Sequence, residues 1–291
     1  MMPRARSASF CRDAFTLVEM LVSVAVLSLM LAGVAVATSF VSSVWINGVG
    51  MMDNFTKARV ALTLLDRDIQ MMVLRRDVAA FPVGTSGNST CAFYANVQGN
   101  PGQGLTVPDT RTVSLVQYQL DPSTETTAPT LERLNYGMNF LVSNGATPSL
   151  ATPMANGLTP PGNARLQTET VFNGVVLFQV QFVDGTGAIQ PAYNYSTTQF
   201  YPVPPSNSRS VIASMLVLNN AAYNLAVNRT GTISTLQGLF SSLPVNTTYS
   251  QYWNSVLAAP PPAFYTLPPV IRSGLQVFER HIPLPMTTPS S

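Results

Sequence analysis

The residue whose chemistry most needs explaining is Glu19, a lone carboxylate at the head of a run with no Asp, Glu, Lys, Arg or His from Met20 to Gly50. An ionised carboxylate in hydrocarbon costs about 2.5 kcal/mol or more on insertion scales, so this group requires a partner. The stretch before it carries Arg4, Arg6 and Arg12 and has the layout of a secretory leader. Its small-residue cut site, however, precedes the apolar run instead of following it. A cut between Ala14 and Phe15 removes the arginines, keeps the apolar segment, and creates an amine on Phe15 four residues from Glu19, one helical turn away. The chemistry on offer is pairing of an ammonium with a carboxylate in a medium of low dielectric constant.

Other chemistries find little material. The chain has one histidine, His281, in a Pro-flanked segment, so a Ser-His-Asp triad would depend on that residue alone. Of two cysteines, Cys11 precedes the expected cut, which leaves Cys91 as a free thiol; a small buried hydrophobe is its ordinary state. No His or Cys cluster points to zinc, and no glycine loop of phosphate-binding spacing follows a strand. Asp184 opens Asp184-Gly185-Thr186-Gly187, which reads as a hairpin turn rather than an oxygen-ligand metal site. The remaining carboxylates include Asp66, Asp68, Glu132 and Glu279, and no motif singles out two of them for acid and base roles. We expect no enzyme activity, no cofactor and no metal.

Charge excludes a further class. Of 15 basic and 13 acidic residues, three arginines and Asp13 lie before Phe15, so 12 of each remain after the cut. A neutral chain with no basic patch does not point to nucleic acid. The arginines instead set orientation: positive charge stays cytoplasmic, so the chain is expected N-in and C-out, with the C-terminal domain in the periplasm or extracellular space. Hydrophobic residues make up 46% of the chain and charged ones only 10%, below the ~25% of ordinary soluble domains. That balance fits an anchor carrying a head rich in Thr, Ser, Asn, Gln and Pro.

The elements that must position these groups follow from periodicity. Residues 1–14 read as leader and 15–50 as a membrane-spanning helix in inner-membrane lipid, with Gly33, Ser23, Ser28, Thr38 and Ser39 as small packing positions and a weak point at Gly48 and Gly50. Residues 51–79 read as an amphipathic helix running to about Arg76. Its stripe is Phe55, Ala58, Leu62, Leu65, Ile69 and Met72, with Lys57, Arg59, Asp66, Arg67 and Asp68 off it. Residues 80–291 read as a β-rich head, with strands expected at 90–94, 113–120, 131–136, 171–183 and 211–218 and a last one from Gly274 to Pro283. A Pro-rich insert near 219–269 holds two short helices, near 234–241 and 249–257, and ends in extended chain around Pro260-Pro261-Pro262. The insert reads either as a lid over the sheet edge or as a contact surface. The predicted class is α+β: a long N-terminal helix whose C-terminal half packs on an antiparallel sheet.

Phe15-Thr16-Leu17-Val18-Glu19-Met20-Leu21-Val22 resembles, residue by residue, the start of the type IV pilin-like proteins. Ala14 departs from the Gly that the family normally has before the cut. The resemblance implies that a membrane prepilin peptidase cuts between Ala14 and Phe15 and methylates the new amine. It also implies that Glu19 registers against the Phe15 amine of a neighbouring subunit, and that the partners are other pilin-like or pseudopilin subunits. A looser second likeness is carried by Leu65-Asp66-Arg67-Asp68, Tyr118-Gln119-Leu120, Leu131-Glu132-Arg133 and the long strand ending Phe182-Val183-Asp184. These pieces are similar to the J-type minor pseudopilin of type II secretion, and the overall layout also resembles protein C of the Verru_Chthon cassette. The expected function is a structural minor subunit of a type II secretion or type IV pilus-like assembly. The alternatives are a major subunit of such a filament and an anchored binding domain that does not polymerise.

Overall fold

The computed structural model describes residues 16–73, 90–98, 113–121, 123–137, 168–190, 208–242 and 247–285. The leader, Ala14, Phe15 and residues 74–79 of the expected amphipathic helix lie outside the described residues. The chain divides into two compact units, Met1–Val49 and Gly50–Ser291.

Helix α1 spans Leu17–Gln70 and passes through Gly48 and Gly50, the expected weak point, without ending there. In the first unit its large apolar side chains from Leu17 to Trp45, and Val49, are exposed. In the second unit the expected stripe is buried at Ala58, Leu62, Leu65, Ile69 and Met72, while Phe55 stays more than half exposed. The helix stops at Gln70, short of the expected Arg76. There the chain turns to pair with a strand: Met72 bridges Ala95, Val73 N–H donates to the Tyr94 carbonyl at 2.8 Å, and Asn96 N–H donates to the Met71 carbonyl at 2.8 Å. Backbone groups that would have continued the helix are satisfied by the sheet instead.

The strands of the described residues form two four-stranded antiparallel sheets. The first has the order β1 (Cys91–Ala95), β2 (Ser114–Leu120), β3 (Thr130–Gly137), β4 (Thr168–Asn173). The second has the order β6 (Ile189–Gln190), β5 (Val175–Asp184), β7 (Ser208–Leu218), β8 (Leu275–Pro283). The expected single strand 171–183 is thus two strands in different sheets, divided at Gly174. That residue has φ +89°, a left-handed conformation that suits glycine, and its carbonyl accepts from Leu218 N–H at 2.9 Å. A Cβ there would lie 3.1 Å from the Leu218 carbonyl oxygen.

Alternation along the strands distributes the core. Cys91 and Phe93 of β1, Val116 and Tyr118 of β2, and Phe178, Val180 and Phe182 of β5 meet the buried stripe of α1. Val176 and Leu177 of β5 and Leu216 and Leu218 of β7 join a second core under the insert. Strand β5 is buried on both faces, which is why its sequence is a nearly continuous apolar run.

The insert is helical: α2 (Asn220–Val227), α3 (Thr232–Phe240), α4 (Tyr249–Ala258), a 3₁₀ turn at Pro262–Thr266, and α5 (Pro269–Ser273). The two expected helices correspond to α3 and α4. The Pro-rich stretch, expected to be extended, contains the 3₁₀ turn because Phe264 folds inward beside Phe240, leaving Tyr265 exposed. The insert lies over the face of the second sheet rather than its edge, tied by Tyr249 N–H to Gln181 Oε1 at 3.0 Å and by Gln237 Nε2 to the Val176 carbonyl at 3.2 Å.

Candidate processing and assembly site

The α1 N-terminus is built by its own sequence. Thr16 precedes the first helical turn, and its backbone N–H and hydroxyl both donate to Glu19 Oε2 at 3.0 Å. Glu19 N–H donates back to Thr16 Oγ1 at 3.3 Å. This is a capping box: a threonine at the cap and a glutamate three residues on, each satisfying a donor that the helix start leaves open. The Thr-x-x-Glu spacing before an apolar run is its sequence signal, one that attention to the charge alone passes over. All three contacts between Thr16 and Glu19 leave Oε1 uncommitted. Of the expected site residues, Glu19 is described, at the exposed head of the helix; Ala14 and Phe15 lie outside the described residues.

Beyond Glu19 the helix offers almost no polar demand. Ser23 Oγ donates to the Glu19 carbonyl at 2.7 Å, while Ser28, Thr38 and Ser43 each donate at 2.8 Å to a carbonyl three or four residues back. These hydroxyls are returned to their own helix, the arrangement an apolar environment requires. A Cβ at Gly33 would meet nothing within 4 Å. The helix is long and apolar enough to cross a membrane.

A second polar constellation sits inside the head. Asp68, expected off the apolar stripe of α1, is fully buried. Its Oδ2 accepts from Tyr118 Oη at 2.7 Å and from Arg133 Nε at 2.7 Å, and Arg133 Nε also lies 3.2 Å from Tyr118 Oη. Residues from α1, β2 and β3 therefore meet in one network. Burial, then the adjacent Asp68 charge, pushes the Tyr118 phenol well above its ordinary pKa, so it remains a donor. Burial works against the Arg133 charge, but the hydrogen bond that Arg133 donates to Asp68 and the surrounding charges hold its pKa above the ordinary value. The placement of Asp68 corrects the sequence expectation. Its partners lie 50 and 65 residues away along the chain, so no local pattern marks them.

The remaining candidates have structural geometry. His281 Nε2 faces Glu279 Oε1 at 3.0 Å, and Glu279 Oε2 accepts from Ser250 Oγ. The carboxylate thus stands between hydroxyl and imidazole, the wrong order for a nucleophile to be activated by a base. Asp184 Oδ1 accepts from Thr186 N–H at 2.8 Å and Ala188 N–H at 3.0 Å, closing the turn between β5 and β6. Among the described residues, no group of three His, Cys, Asp or Glu side chains is placed to hold a metal. Cys91 is buried, and burial pushes its thiol pKa upward.

The family model described as the prokaryotic N-terminal methylation motif matches residues 11–35, which include Ala14, Phe15 and Glu19. The chain thus carries the processing signal of type IV pilin-like proteins, with the peptidase processing and subunit assembly that the motif implies. No curated protein matches the chain. Among solved structures, a type IV-like pilin from Thermus thermophilus is similar at 14% identity, over 79% of this chain and 95% of that one, with a TM-score of 0.35. The α+β architecture, a long apolar N-terminal helix followed by antiparallel sheets, is the one expected from the sequence.

Proposed function

We propose that this chain is a minor, structural pilin-like subunit of the pseudopilin type, serving a type II secretion or type IV pilus-like assembly. The observation that carries the proposal is the methylation motif at the head of a helix that is uncharged from Met20 to Gly50 and whose large apolar side chains are exposed from Leu17 to Trp45. Such a surface needs lipid first and the helices of other subunits afterwards. In this reading the peptidase cuts between Ala14 and Phe15, the leader arginines keep that end cytoplasmic, and the head lies across the inner membrane.

The Glu19 geometry supports a registration role. Thr16 holds Oε2 and fixes the carboxylate rotamer, while Oε1 is left to accept the Phe15 amine of a neighbouring subunit. A buried ion pair is an expensive way to gain stability but a strict way to fix register, because removing one partner leaves a charge uncompensated, at about 3–5 kcal/mol. The J-type assignment draws support from the head: Asp68, Tyr118 and Arg133, from three separate pieces of that resemblance, converge on one network.

The test is mass spectrometry of the mature N-terminus together with a Glu19→Ala variant. The expected chain begins at a methylated Phe15, and the variant loses co-purification with other pilin-like subunits while still being cut. A mature chain that keeps Met1 refutes the assignment. Unchanged co-purification by Glu19→Ala refutes the registration step.

A further inference from the structure

Among the described residues, strand β8 closes one end of the second sheet, and the sheet order ends with it. It pairs with β7 from Leu275 to Pro283 without a register shift, so its outer edge is straight, and such edges are templates for another strand unless guarded. The second half of this edge is guarded. Arg280 reaches back to Thr63 and Asp66 of α1, Gln70 Nε2 donates to the Pro283 carbonyl at 2.6 Å, and Glu279 adds charge. The first half, Leu275-Gln276-Val277-Phe278, has no charge, no proline and no bulge.

A groove of about 560 Å³ borders all four of these consecutive residues. Successive side chains of a strand point to opposite faces. Leu275 and Val277 pack with the insert core, whereas Phe278 packs with the α1 core. A single groove touching both sets therefore runs along the strand edge. Its walls are Met51, Met52 and Phe55 of α1, exposed by 43, 73 and 56%, and Asn254 and Leu257 of α4. No charged side chain lines it. Gln276 Oε1 is buried without a hydrogen-bond partner, an acceptor in need of a donor.

We infer that this edge binds an extended, uncharged segment of another protein chain by strand addition. Open main-chain groups call for an extended backbone, since a helix spends its own N–H and C=O groups internally. The apolar walls on both sides call for apolar side chains pointing alternately to α1 and to α4. The site belongs to the head and does not depend on the processing of the N-terminus.

The test uses the full chain in detergent and a blocked peptide of alternating Val and Leu, with amide hydrogen exchange as the readout. Exchange over 275–278 is expected to slow by about tenfold or more at saturating peptide. The same peptide N-methylated at alternate amides is expected to have no effect. Asn254→Arg, a change at an exposed wall position, is expected to abolish the slowing while leaving exchange in β5 and β7 unaltered. Absence of slowing overturns the proposal. So does equal slowing by both peptides, which would make the groove a site for apolar contact alone, or slow exchange without peptide accompanied by a doubled mass, which would make the occupant a second copy.

Discussion

Replacing Asp68 with alanine removes the carboxylate that faces the Arg133 guanidinium and leaves a cation in the joint between α1 and the first sheet. Asp68 is fully buried and the Arg133 side chain is only 7% exposed, so water cannot take over the lost contacts. Breaking one side of such a pair costs about 3–5 kcal/mol, because the remaining charge is uncompensated. At roughly 2–4 °C per kcal/mol for a domain of this size, the melting temperature falls by about 6–20 °C. Arg133→Met alone has a similar effect, since it strands Asp68 with the Tyr118 hydroxyl and the more exposed Arg67. Asp68→Ala combined with Arg133→Met removes both charges together and costs little more than either single change. The coupling energy is therefore about 2 kcal/mol or more. The assay is denaturant unfolding of the detergent-solubilised chain followed by tryptophan fluorescence. The two indoles are Trp45 and Trp253, and a Trp45→Phe background leaves the buried Trp253 to report on the head. Additivity of the two single changes within about 0.5 kcal/mol, or a cost for Asp68→Ala below about 1 kcal/mol, refutes the network as a joint.

Gly174→Ala forces a side chain into a left-handed backbone 3.1 Å from the Leu218 carbonyl, and should lower stability by about 1–2 kcal/mol in the same denaturation assay. An unchanged midpoint would show that the strand switch does not depend on this conformation. Cys91 should resist a thiol reagent in the native chain and react only as the head unfolds, since burial disfavours its thiolate; fast native labelling contradicts this. Burial alone would raise the Glu279 pKa, but hydrogen bonds from Ser250, Thr248 and His281 outweigh it and hold the carboxyl below its ordinary value. A depressed carboxylate contributes stability above its unfolded pKa, and that contribution is lost as pH falls through the lower folded value. Glu279→Gln should accordingly flatten the acid limb of the stability curve while leaving its sensitivity at alkaline pH unchanged, as read by melting temperature against pH.

How much was legible in the sequence depended on whether the signal was local. The stripe of Ala58, Leu62, Leu65 and Ile69 repeats with the helical period, and its burial follows. Strand β5 reads as a strand because its apolar residues are contiguous and bounded by Asp184-Gly185. Gly174, one residue inside an apolar run, is the only mark that the run belongs to two sheets. Helix α2 was missed, although Asn219 caps it by accepting from Ala222 N–H at 2.8 Å and could have been read as a start signal. Asp68 had no such signal: on a helix, a charge beside the apolar stripe reads as solvent-facing until the strands that carry Tyr118 and Arg133 are in place. Phe264 illustrates the same limit, since prolines favour extended chain and only the pocket beside Phe240 turns it inward.

Asp68 and Glu19 obey one rule with different completions. A carboxylate leaves water only when donors and a countercharge take water's place. For Asp68 both come from the same chain, two donors at 2.7 Å and the Arg133 charge, so the group serves as a fixed internal joint. For Glu19 the chain supplies half: Thr16 satisfies Oε2 with two donors, but it brings no charge, and Oε1 has none of these contacts. In the proposed reading, the missing half is a cation of small size at the head of an apolar helix. Under the proposed cut, every copy of the chain creates one such cation, at Phe15, within a helical turn of its own Glu19. Geometry then decides between pairing within a chain and pairing between chains. On the proposed reading, Thr16 holds Oε2 and leaves Oε1 for a neighbour. A Thr16→Val variant separates the two cases: it removes the hydroxyl contacts of the capping box and keeps only the backbone N–H donor, so the carboxylate is freer to turn to its own amine, and cross-linking between subunits should fall although Glu19 is intact. Cross-linking equal to that of the unaltered chain would show that Thr16 does not direct the choice.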